Sequence, residues 1–185
     1  MVKSTQSYLK AGLCALPAKA AQKRPAIPSW KTYQKRLPTD AEMRAWLANH
    51  PDGVCIVCGK VSGNLEVLDF DNGGELFDAW EKEIPSDMLE RLVIEQSPSG
   101  GFHVFYRSEE TVCGNLKLAA RKTEDGHQTL IETRGEGGLI LCAPTPGYEI
   151  IQGDLCNLPV LTSADREILL QTAANLDECP KDIAD

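Results

Sequence analysis

The sequence predicts an α+β fold. Helical patterns of apolar residues recur along the 185 residues, and short segments rich in Val, Ile and Leu lie between them. Several of these short segments are joined by tight turns that contain glycine, as at Gly63 and at Gly100 and Gly101. A doubly wound parallel sheet needs a helix between successive strands, so such turns favour a mixed α+β sheet.

Apolar spacing and capping residues predict the helices. Tyr and Leu residues at near-helical spacing predict a first helix within residues 4–16. A Thr-x-x-Glu capping box at residues 39–42 begins a second helix. Short helices are expected after Gly74 and at Ser86, and Thr162 begins the last one.

Strands are predicted where β-branched and other apolar residues cluster between turn residues. Most of them lie in the second half of the chain, between the second helix and the last one. The predicted strands are residues 54–57, 65–70, 93–96, 102–106, 129–133, 139–142 and 148–151.

The charge is distributed unevenly. The net charge is −8, yet residues 1–39 carry eight basic side chains and no acidic one. The other 146 residues carry 11 basic and 27 acidic side chains. This asymmetry predicts a cationic N-terminal lobe beside an acidic body, and a local positive patch can attract a polyanion in spite of a negative total. The alternative is a solvated surface without a ligand.

The number of cysteines and the N-terminal sequence indicate the cellular compartment. The seven cysteines are odd in number and the N-terminus lacks the apolar core of a secretory signal, so we expect reduced thiols and a cytoplasmic location. Cys55 and Cys58 form a single C-x-x-C within a predicted strand, where their side chains would face opposite sides. Buried structural thiols are therefore favoured over zinc, and no segment is long and apolar enough for a membrane span.

The first motif that could bind a metal or take part in catalysis is Asp69-Phe70-Asp71, at the end of a predicted strand. Residues two apart share one face of a strand, and two carboxylates 5 Å apart repel by about 3 kcal/mol at an effective dielectric near 20. A divalent cation relieves such repulsion, and carboxylate oxygens suit Mg²⁺ or Mn²⁺. The alternative is a strand that ends in turn formers.

The second motif runs from Ser97 to His103. The turn of Ser99, Gly100 and Gly101 exposes backbone N–H groups that suit a phosphate, and His103 on the following strand can donate hydrogen bonds to one. The alternative is a hairpin turn followed by a histidine at the edge of the core.

The third motif contains Glu132 and Arg134, which share one strand face ahead of a Gly-rich segment. The carboxylate could complete a metal site, and the guanidinium could hold a phosphate or a base. The alternative is a surface ion pair at the end of a strand.

Taken together, the chain from about Leu9 to Tyr148 resembles the bifunctional primase-polymerase domain of the archaeo-eukaryotic primase superfamily, found in phage and plasmid replication proteins. The resemblance rests on motifs that occur in the order of that family. They are Lys23-Arg24-Pro25 with Trp30, residues 61–71, residues 99–103, and residues 132–138 leading to Ala143-Pro144.

The resemblance implies a fold and a domain organisation. The fold is a catalytic sheet related to the RNA-recognition motif, with an N-terminal α/β unit packed beside it. The catalytic domain would span residues 1–160, with a basic lobe over about 1–50 and a catalytic core over about 51–160. Residues 161–185 would form a C-terminal helix and tail, as a linker to a helicase module.

The resemblance also implies roles for nine residues. Asp69, Asp71 and Glu132 match the acids that hold two Mg²⁺ or Mn²⁺ ions. The residues that match nucleotide contacts are Ser99, Gly100, His103 and Arg134, with Lys23 and Arg24 as weaker contacts to nucleotide or template.

The activity that follows is DNA primase and DNA-directed DNA polymerase. It would transfer nucleotides from dNTPs or NTPs to a primer or an initiating nucleotide on single-stranded DNA. Two features depart from the family pattern: the third acid is Glu132 where Asp is frequent, and residues 143–146 replace the usual double-proline-serine ending.

Two other functions stay open at this stage. One is a metal-dependent nucleotide phosphohydrolase that uses Asp69 and Asp71. The other is a non-catalytic replication or defence module that binds DNA or nucleotides without turnover. Incorporation of dNTPs separates the polymerase from both.

Overall fold

The computed structural model of the protein describes residues 2–179, and two antiparallel sheets dominate it. The helices are α1 (Val2–Lys10), α2 (Asp40–Leu47), α3 (Phe77–Glu83), α4 (Ser86–Leu89) and α5 (Ser163–Ala174). The strands of the first half are β1 (Cys14–Lys19), β2 (Arg24–Pro25), β3 (Gly53–Val57), β4 (Leu65–Phe70) and β5 (Val93–Gln96). The remaining strands are β6 (Phe102–Ser108), β7 (Lys117–Thr123), β8 (Gly126–Arg134), β9 (Leu139–Cys142), β10 (Glu149–Gln152) and β11 (Val160–Leu161).

The two sheets differ in size and in their neighbours. The smaller sheet has the order β2-β1-β3-β9, and the larger has the order β10-β5-β6-β4-β8-β7 with β11 parallel to the end of β6. One apolar core lies between the sheets, with Val67, Val93 and Phe105 from the larger sheet against Val54 and Ile56 from the smaller. This arrangement confirms the predicted α+β class.

The outer faces of both sheets are covered as well. Helices α3, α4 and α5 pack on the larger sheet, where Trp80 contributes the largest fully buried side chain. The outer face of the smaller sheet packs against Tyr33 and Trp46 from the segment that includes α2. Each sheet is therefore buried on both faces over much of its area.

The sequence prediction was wrong at the N-terminus. Helix α1 ends at Lys10, Gly12 takes a left-handed φ of 77°, and residues 14–19 form β1 instead of continuing the helix. Strand β1 is buried on both faces from Cys14 to Ala18, so it shows no alternation of apolar and polar residues. Without that alternation, its leucine spacing resembles a helix.

Other predicted elements are confirmed. Strands β5 and β9 have the predicted bounds. In the capping box of α2, the Glu42 backbone N–H donates to Thr39 Oγ1 at 3.2 Å, and the Thr39 N–H donates to Glu42 Oε2 at 2.8 Å. Cys55 and Cys58 are buried in cores on opposite faces of the smaller sheet, and their thiols are free.

The smaller sheet is built from strands of both the N-terminal and the central part of the chain, so no single position in the sequence separates the two sheets. The smaller sheet combines β1 and β2 with β3 and β9, which come from the segment predicted to be the catalytic core. The boundaries near residues 50 and 160 stay predictions, and the last part of the predicted tail, residues 180–185, lies outside the described residues. Within residues 2–179, no helix is long and apolar enough to cross a bilayer.

Candidate active site

The candidate site lies on the face of the larger sheet that is turned toward the smaller one. Val67 of β4 packs between the sheets, and Asp69 shares its face two residues further along. Here the apolar core gives way to a cleft of about 160 Å³. Its polar lining includes Lys23, Asp69, Asp71, Ser99, His103 and Arg134.

Three carboxylates meet beside this cleft. Strands β4 and β8 pair with Asp69 opposite Glu132, and Asp71 follows directly after β4. One oxygen of each of Asp69, Asp71 and Glu132 lies within 4.8 Å of the other two. Asp69 is buried, Glu132 is half-buried and Asp71 is at the exposed rim. The structure thus brings together the three acids predicted as metal ligands.

The electrostatics of the three acids favour a bound cation. Partial burial raises the pKa of Asp71, and the charge of Asp69 raises it further. Burial also raises the pKa of Glu132; Arg134 acts to lower it, while Asp69 and Asp71 add to the increase. Since negative charge is incompletely balanced here and all donors are hard oxygens, the residues fit a divalent cation.

Arg134 lies between two of these acids. Its Nε and Nη2 atoms donate to Asp69 Oδ2 at 3.2 and 3.1 Å, and Nη2 lies 2.6 Å from Glu132 Oε1. Burial acts to lower the pKa of Arg134, but the charges of Asp69 and Glu132 outweigh it, so the pKa lies above its ordinary value. The guanidinium is therefore charged and fixed within the site.

His103 lies opposite both Asp69 and Glu95 in the strand register. Its Nε2 atom is 3.5 Å from Asp69 Oδ1, and its Nδ1 atom is 2.8 Å from Glu95 Oε1. The ring of Tyr148 lies 5.8 Å from the imidazole, centroid to centroid. Burial, followed by the charges of Glu95 and Asp69, raises the pKa of Tyr148 to about 12.

Sequence analysis missed Glu95 and Tyr148. A signal existed for Glu95, since it is a charged residue inside a short strand that is otherwise apolar at Val93 and Ile94. No signal in the sequence distinguishes Tyr148, because its approach to His103 depends on how the two sheets pack.

The Ser97–Gly101 turn packs against the end of β4. The Ser97 N–H donates to the Gly101 carbonyl at 2.8 Å, and Gly100 takes a left-handed φ of 83°. A Cβ at Gly101 would collide with the carbonyl oxygen of Phe70, so only glycine allows this close approach. Ser99 reaches the cleft and lies 3.2 Å from Ser97, Oγ to Oγ, whereas Gly100 contributes backbone to the turn rather than to the cleft lining.

The two basic residues of the N-terminal motif occupy different positions. Lys23 lines the cleft, and its charge acts to lower the pKa of Asp71. Arg24 is exposed, does not line the cleft, and donates from Nε to Gln22 Oε1 at 2.6 Å. Lys23 has a left-handed φ of 47°, which turns the chain between the two side chains.

Comparison with known proteins agrees with the geometry. A family model described as the N-terminal domain of bifunctional DNA primase/polymerase matches residues 5–163. No curated protein matches the chain. The matched range contains all three acids, His103 and Lys23. Because the match spans most of the sequence, the chain belongs to the Prim-Pol family of bifunctional DNA primases/polymerases.

Proposed function

We propose that this protein is a DNA primase and DNA-directed DNA polymerase that transfers nucleotides from dNTPs or NTPs to a primer or an initiating nucleotide. The template would be single-stranded DNA. The observation that carries the proposal is the meeting of Asp69, Asp71 and Glu132 beside His103, in a chain of the Prim-Pol family.

Asp69, Asp71 and Glu132 would hold Mg²⁺ or Mn²⁺ in a two-metal site, which suits their all-oxygen donor set. When bound, the ions would supply charge neutralisation on the transferring phosphate and lower the pKa of the attacking hydroxyl. Glu132 on β8 and Asp69 on β4 are fixed by the strand pairing, so the acids approach the cleft on a rigid support.

The other polar groups of the cleft suit the phosphates of a nucleotide. His103 can donate a hydrogen bond, and Arg134 and Lys23 supply positive charge. Ser99 lies in a turn at the same edge, where its hydroxyl can donate to an anion, and Gly100 would contribute through the shape of that turn, since its N–H donates to the Ser97 carbonyl at 3.0 Å. These groups would orient the triphosphate and stabilise negative charge on the departing pyrophosphate.

The basic N-terminal lobe suits the DNA partner. Lys3, Lys10, Lys31 and Lys35 are basic residues in the segment 1–39 that contains no acid. A positive field over this segment would attract the phosphate backbone of template and primer. A helicase domain or protein would be a further partner.

Primer extension tests the proposal. The assay would combine the protein with primed or unprimed single-stranded DNA and four dNTPs or four NTPs, in Mg²⁺, in Mn²⁺ and in EDTA. We expect extension that needs a divalent cation, and products on unprimed template would establish priming. Release of orthophosphate without DNA synthesis would indicate the phosphohydrolase, and DNA retention without turnover would indicate the binding module.

Lys23 and Arg24 provide a matched pair for the nucleotide contact. Lys23→Met removes the charge in the cleft and keeps the apolar stem. Because Lys23 is exposed, we expect the KM for dNTP to rise roughly fivefold, as for the loss of an exposed charge–charge contact of about 1 kcal/mol. Arg24→Met removes an exposed charge outside the cleft lining and should change this KM less than twofold. Steady-state kinetics at fixed primer-template would measure both values, and an equal response of the two variants would contradict the assignment of Lys23.

A further inference from the structure

Glu95 is a buried carboxylate that the chemistry described so far does not use. Its side chain is 0% exposed, although it lies on the site face of β5. It is not one of the three acids that meet within 4.8 Å of one another. An ionised carboxylate is costly to bury unless its oxygens accept hydrogen bonds, so its contacts indicate its purpose.

Both oxygens of Glu95 have partners. Oε1 lies 2.8 Å from His103 Nδ1, and Oε2 accepts from the Ala143 backbone N–H at 2.6 Å. Ala143 directly follows β9 of the smaller sheet, while His103 belongs to β6 of the larger one. Glu95 therefore joins the catalytic face of one sheet to the end of the other.

These contacts fix the orientation of the imidazole. With Glu95 ionised, its oxygens can only accept, and the ring then donates from Nδ1 to Oε1. The other nitrogen, Nε2, is then directed toward the acids, 3.5 Å from Asp69 Oδ1. A flipped ring would place carbon atoms against Glu95 and leave Oε1 without its partner. Phe105 and Tyr148 pack near the ring at 6.0 and 5.8 Å but offer it no polar contact that would select one orientation.

We propose that Glu95 is a positioning residue, whose hydrogen bond with His103 holds the ring with Nδ1 against the carboxylate and Nε2 presented to the triphosphate of the incoming nucleotide. The part that concerns the nucleotide rests on the proposed function of the site. The part that concerns the imidazole rests only on the hydrogen bonds of Glu95.

Kinetics of Glu95→Gln test the positioning role. A glutamine has one acceptor oxygen and one NH₂ donor, so it cannot accept from both His103 and the Ala143 N–H. We expect the KM for dNTP to rise about tenfold, the size of effect seen when a carboxylate that orients a histidine is lost, with the KM for primer-template unchanged. His103→Ala should raise the same KM at least as much, and adding Glu95→Gln to it should cause no further increase.

The matched control is Glu66→Gln. Glu66 is equally buried, but it lies on the opposite face of the larger sheet. Glutamine there should lower stability without changing the KM for dNTP. A purely structural Glu95 would behave in the same way, with a smaller active fraction and an unchanged KM, and that result would overturn the proposal. The proposal would also be overturned if the increases in KM for dNTP caused by Glu95→Gln and His103→Ala multiplied in the double variant.

Nitrogen-15 NMR of the histidine rings tests the orientation without any activity. The chain has three histidines, so the His103 signals can be assigned by comparison with His103→Ala. We expect His103 to be protonated at Nδ1 in the wild type and to lose this preference in Glu95→Gln. The proposal would be overturned if Nδ1 of His103 were unprotonated in the wild type, or if Glu95→Gln left the His103 spectrum unchanged. Because this readout needs no polymerisation, an inactive protein with the expected spectrum would contradict only the proposed function.

Discussion

Replacing Asp71 with Asn should reduce primer extension by about three orders of magnitude and leave the protein at least as stable as the wild type. The loss of activity corresponds to about 4 kcal/mol, which is within the several kcal/mol that charge stabilisation at a metal site supplies. Asparagine keeps the shape of the side chain and removes one anionic donor from the three that meet beside the cleft.

The stability follows from the pKa of Asp71, which burial and the charge of Asp69 raise. An acid whose pKa is higher in the folded state lowers stability at neutral pH. This penalty is absent below the unfolded pKa, grows as the pH rises, and is complete above the folded pKa. Asparagine removes the penalty at neutral pH, and no side-chain hydrogen bond to Asp71 is found within residues 2–179 that its removal would break.

Extension rates at saturating dNTP and urea unfolding of the same preparations would measure the two effects of Asp71→Asn. Glu124→Gln is the matched control, because Glu124 is an exposed carboxylate in the turn between β7 and β8. It should change neither activity nor stability. Loss of activity together with loss of folding in Asp71→Asn, or retention of activity, would contradict the assignment of Asp71 as a ligand.

The pattern of apolar residues predicted the strands that form short apolar runs between turn residues. It did not predict a strand that is apolar on both faces or one that is mostly polar. Strand β1 is apolar on both faces, so its sequence shows no alternation. Strand β7 has the opposite problem, because its KLAARKT sequence is exposed or half-buried at every residue except Ala119 and contains four polar side chains. It is a strand because it forms a hairpin with β8, where Lys117 lies opposite Glu132, and the pattern of apolar residues within β7 does not by itself indicate that pairing.

The candidate site was predicted to different degrees for different residues. Alternation along a strand places Asp69 and Asp71 on one side, and the resemblance adds Glu132. The register that brings Glu132 opposite Asp69 is visible only in the structure. Adjacent basic residues also look equivalent in sequence, yet the left-handed turn at Lys23 places it in the cleft and leaves Arg24 outside.

Helix α5 supports the catalytic strand from behind. Glu66 lies on β4 three residues before Asp69, is 0% exposed, and faces the helices. Its Oε2 accepts from Tyr106 Oη at 2.7 Å and Arg166 Nε at 2.6 Å, and its Oε1 accepts from Arg166 Nη2 at 2.9 Å. The family match ends at residue 163, but Leu169, Leu170 and Ala173 of α5 belong to the core of the larger sheet. Helix α5 therefore packs on the same sheet that carries the acids.

Replacing Arg166 with Met should lower the free energy of unfolding by about 3 kcal/mol, because it leaves the buried carboxylate of Glu66 without its cation. In a protein of this size the melting temperature would fall by about 6–12 °C. Glu66→Gln combined with Arg166→Met should recover part of the loss, since no buried charge then remains unpaired.

Arg91→Met is the control for the same helix. Arg91 pairs with Asp165, next to Arg166, but at 3.4 Å and with 47% of its side chain exposed. Removing this surface ion pair should cost less than about 1 kcal/mol. Urea and thermal unfolding of the four proteins would measure the difference. Equal losses for Arg166→Met and Arg91→Met would mean that contacts other than the Glu66–Arg166 ion pair hold α5 in place. Such contacts are the hydrogen bond from Trp80 Nε1 to the Leu169 carbonyl at 3.1 Å and the packing of the leucines around it.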